Sequence, residues 1–197
     1  MSTLILPFIS YAFVTTFTPG PNNITASAAG MKIGYRCTLP CLLGMTVGFF
    51  ILMFASGLLT DFFTRSYSAI SPWLRWFGVA YMVWLGLSLF LPHKEGPGRK
   101  GMDTTFLSGL LLQIVNPKVI LYGITIYTSF SALIATSLIV VTLSAIALAL
   151  LGFSAISLWA FTGATLARFL AKDRAKLAFN ILMALLLAWC AWSIAVH

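Results

Sequence analysis

Thr18-Pro19-Gly20-Pro21-Asn22-Asn23 and Gln113-Ile114-Val115-Asn116-Pro117-Lys118 are the two stretches that decide the fold. Each interrupts a long apolar run with proline and with side chains that need hydrogen-bond partners. Hydrocarbon offers none, so polar groups and broken backbone persist in a membrane span only where they face protein or a water-filled cavity. Two such breaks, one in the leading apolar segment of each half, predict a small transporter with its site between the halves.

The rest of the chain supports a membrane setting. Of its 197 residues, 60% are hydrophobic and only 8% charged, where a soluble domain carries about 25% charged residues. Spans of about 20 residues each fit six apolar segments: 4–25, 39–60, 70–91, 104–128, 134–164 and 177–196. The fourth runs through a proline and a lysine, so its helix is expected to be interrupted. The fifth is the longest and is expected to tilt or to begin with an interfacial stretch. No Lys or Arg precedes Lys32. The N-terminus thus lacks the positive region of a cleavable signal, and the first segment is expected to remain as a span.

The formal net charge is +8, but the basic residues sit in short connectors, so no nucleic-acid partner is expected. Lys32 and Arg36, then Lys94, Arg99 and Lys100, then Arg168, Lys172, Arg174 and Lys176 fall on one side. The other side has Arg65 and Arg75. The positive-inside rule puts the larger group in the cytoplasm and both termini outside. Pro92 to Gly101 is polar and rich in Gly and Pro, as a linker should be. It leaves three spans on each side, so the second half enters the membrane from the opposite face. The expected fold is all-α and integral to the membrane. It has six transmembrane helices as two inverted three-helix repeats, with helices one and four broken. The single transmembrane domain, 1–197, comprises a first repeat at about 1–91, a linker at 92–103 and a second repeat at about 104–197.

A proline inside a helix removes one N–H and displaces the carbonyl one turn back. Pro19 and Pro21 flank Gly20, so the first span should unwind there and expose carbonyls. Pro19 and Pro117 each fall about 15 residues into their span, near or past the membrane middle at 1.5 Å per residue. If helix resumes near Asn22 and Asn23, its N-terminus suits a carboxylate. Thr15, Thr16 and Thr18 add neutral donors and acceptors. Lys118 is the only Lys or Arg well inside a predicted span. An isolated ammonium there costs several kcal/mol, on the order of 3 or more. Lys118 must therefore meet a carbonyl, a carboxylate or water, or snorkel to an interface. Gln113, Asn116 and Tyr122 are its polar neighbours. A plain kink remains the simpler reading of either break alone.

All four acidic residues, Asp61, Glu95, Asp103 and Asp173, lie in loops or at span ends. Asp61 is the nearest to a span, and a solvated loop charge is its simpler reading. Proton coupling is left to Lys118, the substrate amine or neither. Cys37, Cys41 and Cys190 have no His or carboxylate beside them and read as small apolar residues rather than metal ligands. No metal site and no cofactor motif is expected. Gly44-Met45-Thr46-Val47-Gly48 reads as a close-packing motif, as do Gly78 and Gly86. Trp73, Trp76, Trp189 and Trp192 read as interfacial anchors. Asn180 in the last span serves either as a cross-helix bond or as a ligand contact.

Thr18-Pro19-Gly20-Pro21, Gly44 and Asn116-Pro117-Lys118 resemble the LysE/RhtB family of amino-acid exporters across essentially the whole chain. Pro19 to Ile24, Gln113 to Gly123 and Asn180 to Leu187 look most like its cysteine and O-acetylserine exporters, although Pro117 departs from what that subgroup need keep. The resemblance implies efflux of small neutral amino acids across a bacterial inner membrane, driven by the proton gradient. Thr18, Pro19, Gly20, Pro21, Asn22, Asn23, Gln113, Asn116, Pro117, Lys118, Tyr122 and Asn180 are the candidate substrate-binding residues. The halves would rock about them. Export of homoserine, threonine or a basic amino acid is the alternative. Absence of a buried carboxylate weighs against cationic substrates. An intramembrane enzyme would need a nucleophile or metal set that these spans lack, and a structural subunit would need no Lys118. The partners expected are a small amino acid and the lipid bilayer; a monomer and a homodimer are both compatible with the glycine faces.

Overall fold

A computed structural model of the chain describes residues 2–88, 104–135, 137–167 and 173–196. Among the described residues there are nine helices and no strand. They are α1 (Ser2–Phe17), α2 (Pro21–Ile33), α3 (Tyr35–Leu58), α4 (Thr60–Ser88), α5 (Phe106–Ile114), α6 (Pro117–Ser129), α7 (Ser131–Ile134), α8 (Leu138–Leu166) and α9 (Asp173–Val196). Helices α3 and α8 are each long and apolar enough to cross a membrane. The pairs α1–α2 and α5–α6 also qualify when each is taken as one broken span, bent by 43° and 60°.

Both breaks fall where the prolines put them. Helix α1 stops at Phe17 because neither Pro19 nor Pro21 can donate an N–H to it. Pro21 then opens α2 at its first position, where a missing N–H costs nothing. Pro117 opens α6 in the same way. The structural counterpart of Pro117 is thus Pro21, not the Pro19 paired with it from the sequence.

Two segment boundaries need correction. Helix α2 runs to Ile33, well past the expected end at residue 25. Its small residues Ala26, Ser27, Ala29 and Gly30 are buried, so packing sustains a stretch whose own hydropathy is low. Residues 61–69, expected as a loop, belong to α4. No Gly or Pro interrupts that stretch, and Asp61 sits in the first turn, where the helix dipole favours a negative charge. A separate short helix, α7, ends at Ile134, where the long fifth segment is expected to begin, and α8 carries that segment from Leu138 to Leu166. The linker at 92–103 and the basic residues Lys94, Arg99, Lys100, Arg168 and Lys172 lie outside the described residues.

Helices α3 and α8 form the centre. Phe49, Met53, Leu148 and Ala149 from them pack with Tyr122, Ile126 and Tyr127 of α6. A second cluster joins Cys41, Leu42 and Met45 of α3 to Ala26 of α2 and to Ile156 and Ala160 of α8. Met183 and Leu187 bring α9 against Ile24. Large apolar side chains such as Leu6, Ile139, Leu150 and Leu185 are exposed on the outer surface. That distribution suits lipid rather than water.

Backbone meets backbone at four places. A Cβ on Gly30 would run into the Ala160 carbonyl, and one on Gly163 into the Ser27 carbonyl, so α2 and α8 touch along their main chains. A Cβ on Gly44 would meet the Phe106 carbonyl, and one on Gly109 the Cys41 carbonyl, which does the same for α3 and α5. Gly34 carries φ of 80° and turns the chain from α2 into α3 within one residue.

Candidate functional site

The first break exposes carbonyls, and nearby side chains take most of them up. Asn23 Nδ2 donates to both Thr16 O and Thr18 O, each at 2.9 Å. Trp159 of α8 donates its indole N–H to Phe17 O at 3.3 Å, the carbonyl that Pro21 leaves without a helical partner. Lys118 Nζ reaches Thr18 O at 3.2 Å from the other broken span. Thr15 O loses its helical partner in the same way, because residue 19 is proline.

Lys118 owes its position to Gly20. A Cβ on Gly20 would lie 2.7 Å from Lys118 Nζ and 2.9 Å from its Cδ. A larger residue there would push the end of the lysine side chain aside. The ammonium thus meets a carbonyl of the first break, one of the arrangements compatible with the sequence.

The second break closes on itself. Asn116 N–H donates to Gln113 O at 3.2 Å, so the carbonyl that Pro117 frees is taken back by its own chain. Asn116 then caps α6, its Oδ1 accepting Lys118 N–H at 3.1 Å. The start of α2 differs: Gly20 holds the capping position, and no side chain bonds to it there.

Three amides tie the broken spans together. Asn116 Nδ2 donates to Asn22 Oδ1 at 2.6 Å, and Asn22 Nδ2 donates to Gln113 Oε1. Gln113 and Asn116 are each only 1% exposed. Buried amides this well paired hold two elements in one register.

Beside this network is a cavity of about 50 Å³. At roughly 10–15 Å³ per water it has room for a few waters or a small solute. Of the residues singled out from sequence, Gly20, Asn22, Asn23, Gln113, Asn116, Lys118 and Tyr122 line it, with Thr15 and Thr16. Thr18, Pro19, Pro21 and Pro117 do not line it; they shape the breaks. Asn180 lies on α9, and its side chain is outside the described residues. The Tyr122 hydroxyl is buried with no hydrogen-bond partner. Its ring stacks on Tyr11, with centroids 5.8 Å apart.

Sequence reasoning misses the other wall. Met45, Thr46 and Phe49 of α3, Val119 of α6, and Gly152 and Ile156 of α8 complete the lining. Met45 and Thr46 belong to a motif that reads as packing alone. Gly44 and Gly48 do pack on α5, but Met45 and Thr46 between them turn to the cavity. Among the described residues no group of three His, Cys, Asp or Glu gathers to hold a metal.

The chain matches the family model described as LysE type translocator over residues 13–197. Proteins named cysteine/O-acetylserine efflux protein from Escherichia coli O9:H4 (strain HS), Escherichia coli (strain K12) and Shigella sonnei (strain Ss046) are similar to it. Each is 34% identical over 193 residues, covering 96% of this chain and 96% of the relative. No solved structure matches the chain.

Proposed function

The chain belongs to the LysE family of translocators, and from that premise we propose that it exports small neutral amino acids, cysteine and O-acetylserine first among them. Its family makes it a membrane transporter and not an enzyme. The observation that carries the substrate class is the cavity between the broken spans, which has a cation on one wall and no carboxylate in its lining. Such a lining suits a zwitterion and disfavours a substrate with net positive charge.

The two charges of a zwitterion find different partners. Its carboxylate meets Lys118 and the N–H groups at the start of α2, where Gly20 leaves the helix without a side-chain cap. The corresponding end of α6 is already occupied by Asn116. Its ammonium meets Thr15 O, which Pro19 deprives of a helical partner, at a residue that lines the cavity. Asn22, Gln113 and Asn116 hold the broken spans at the right separation. Asn23 clamps the end of α1.

The same reading takes α4 and α9 as the third and sixth spans of two inverted repeats in a bacterial inner membrane. Both termini face outward, as the basic connectors require. Efflux against a gradient draws on the proton-motive force.

The reading is tested by export from cells overproducing the chain. Extracellular cysteine, O-acetylserine, homoserine, threonine and lysine are measured against cells carrying the empty vector, with and without a protonophore. Selective release of cysteine or O-acetylserine, lost when the gradient collapses, is the expected result. Release of lysine alone, or of none with the protein verified in the membrane, would overturn it. A reporter fused to either terminus that proves active only in the cytoplasm would overturn the orientation.

A further inference from the structure

Gly152 stands apart from the other described glycines. It is buried and helical and lines the cavity. Elsewhere a buried glycine admits a neighbour too close for any Cβ: Gly30, Gly44, Gly109 and Gly163 face backbone, and Gly48, Gly57 and Gly123 face side chains. At Gly152 the nearest atoms to an added Cβ would be those of the Phe49 ring, at 3.7 Å, an ordinary van der Waals contact. Helix packing does not require a glycine there. Glycine inside a helix also costs roughly 1 kcal/mol relative to alanine. The residue is therefore unexplained by the fold, and the space it leaves opens on the cavity.

We propose that Gly152 sets the length of side chain that the site accepts, by leaving room against Phe49 that the longer substrates fill. This rests on the exporter reading above. The broken spans α1–α2 and α5–α6 bring the polar groups: Lys118, Asn22, Gln113 and the carbonyls. Met45 and Phe49 of α3, with Gly152 and Ile156 of α8, bring the apolar wall. A zwitterionic head held at the breaks directs its side chain to that wall. The cavity has room for only a few waters, so one methyl added at residue 152 removes a sizeable part of it. A methyl too many in a fitted apolar pocket shifts discrimination by about 10–200-fold.

The test compares serine, cysteine and O-acetylserine as three probes of increasing length. Initial export rates are measured at matched protein amounts for the wild type, Gly152→Ala, Gly152→Val and Phe49→Ala. Gly152→Ala is expected to accumulate normally and to lower the ratio of O-acetylserine to serine export by 10-fold or more. Gly152→Val is expected to lower that ratio further, and Phe49→Ala to raise it. An unchanged ratio in both glycine variants overturns the proposal, as does an equal loss of all three probes. Failure of Gly152→Ala to accumulate also overturns it, since the residue would then be a packing glycine after all. A wild type that exports none of the probes overturns the exporter reading, and this inference with it. A wild type that exports them with the glycine ratio unmoved overturns this inference alone.

Discussion

Replacing Lys118 with methionine separates binding from architecture. The ammonium donates to Thr18 O at 3.2 Å, but that carbonyl also accepts Asn23 Nδ2 at 2.9 Å. Its loss leaves Thr18 O with the Asn23 donor. The methionine stem still crosses Gly20, and the cost of holding a charge away from water disappears. Stability should change by less than about 1 kcal/mol, since one shared hydrogen bond is worth about that much. Binding is another matter. A hydrogen bond from a charged donor to a carboxylate is worth about 1.5–3 kcal/mol, and each 1.4 kcal/mol is about tenfold in affinity. Lys118→Met should raise the half-saturating concentration of O-acetylserine by roughly 10–150-fold at unchanged protein yield. Uptake into inverted membrane vesicles over a range of substrate concentrations measures this directly. A half-saturating concentration equal to that of the wild type would refute a carboxylate partner at Lys118. Loss of the protein from the membrane would refute the idea that Asn23 alone satisfies Thr18 O, and would make the lysine an anchor.

Gln113→Leu takes the acceptor from the half-buried Asn22 Nδ2, which should cost about 1 kcal/mol and lower the melting temperature in detergent. Gly163→Ala forces α8 away from the Ser27 carbonyl, so it should destabilise by about 1–3 kcal/mol or more and cut yield. The same substitution at Gly152 on the same helix should not. Trp159→Phe removes the donor to Phe17 O at 3.3 Å and should lower the melting temperature by an amount corresponding to about 1 kcal/mol; an unchanged melting curve would show that water satisfies that carbonyl. Tyr127→Phe loses the 2.8 Å contact with Ser144 that links α6 to α8, with a similar expected cost of about 1 kcal/mol.

The breaks are legible in the sequence because proline and lysine have few ways to exist inside a span. Thr18 to Asn23 and Gln113 to Lys118 announce unsatisfied groups, and the structure brings those groups to one cavity. The opposite wall is not legible. Met45, Phe49 and Ile156 are ordinary apolar residues, and nothing in one sequence marks which face of α3 or α8 they occupy. Gly152 looks like any glycine in a membrane helix until its surroundings are known. The length of α2 escapes the sequence because hydropathy does not register the burial of Ala26, Ser27, Ala29 and Gly30 against α8. Asn23 reads as a ligand from its place in the motif; the sequence does not show that its Nδ2 also bonds Thr16 O and Thr18 O. Pairing Pro117 with Pro19 misses the true counterpart by two residues, because the sequence does not say which proline restarts a helix.

The main-chain contacts carry a consequence for motion. Helix α2 is riveted to α8 through Gly30 and Gly163, and α3 to α5 through Gly44 and Gly109. Each rivet joins a helix from one side of the 92–103 segment to a helix from the other. Contacts between backbones have no rotamers to relax, so they either stay intact or part completely. A pump stroke that swung residues 1–91 as one lever against 104–197 would have to shear both rivets at once. With the rivets left closed, the rigid pieces of the machine are α2 with α8 and α3 with α5, and the pivots are the two unwound stretches, at residues 18–20 and 115–116.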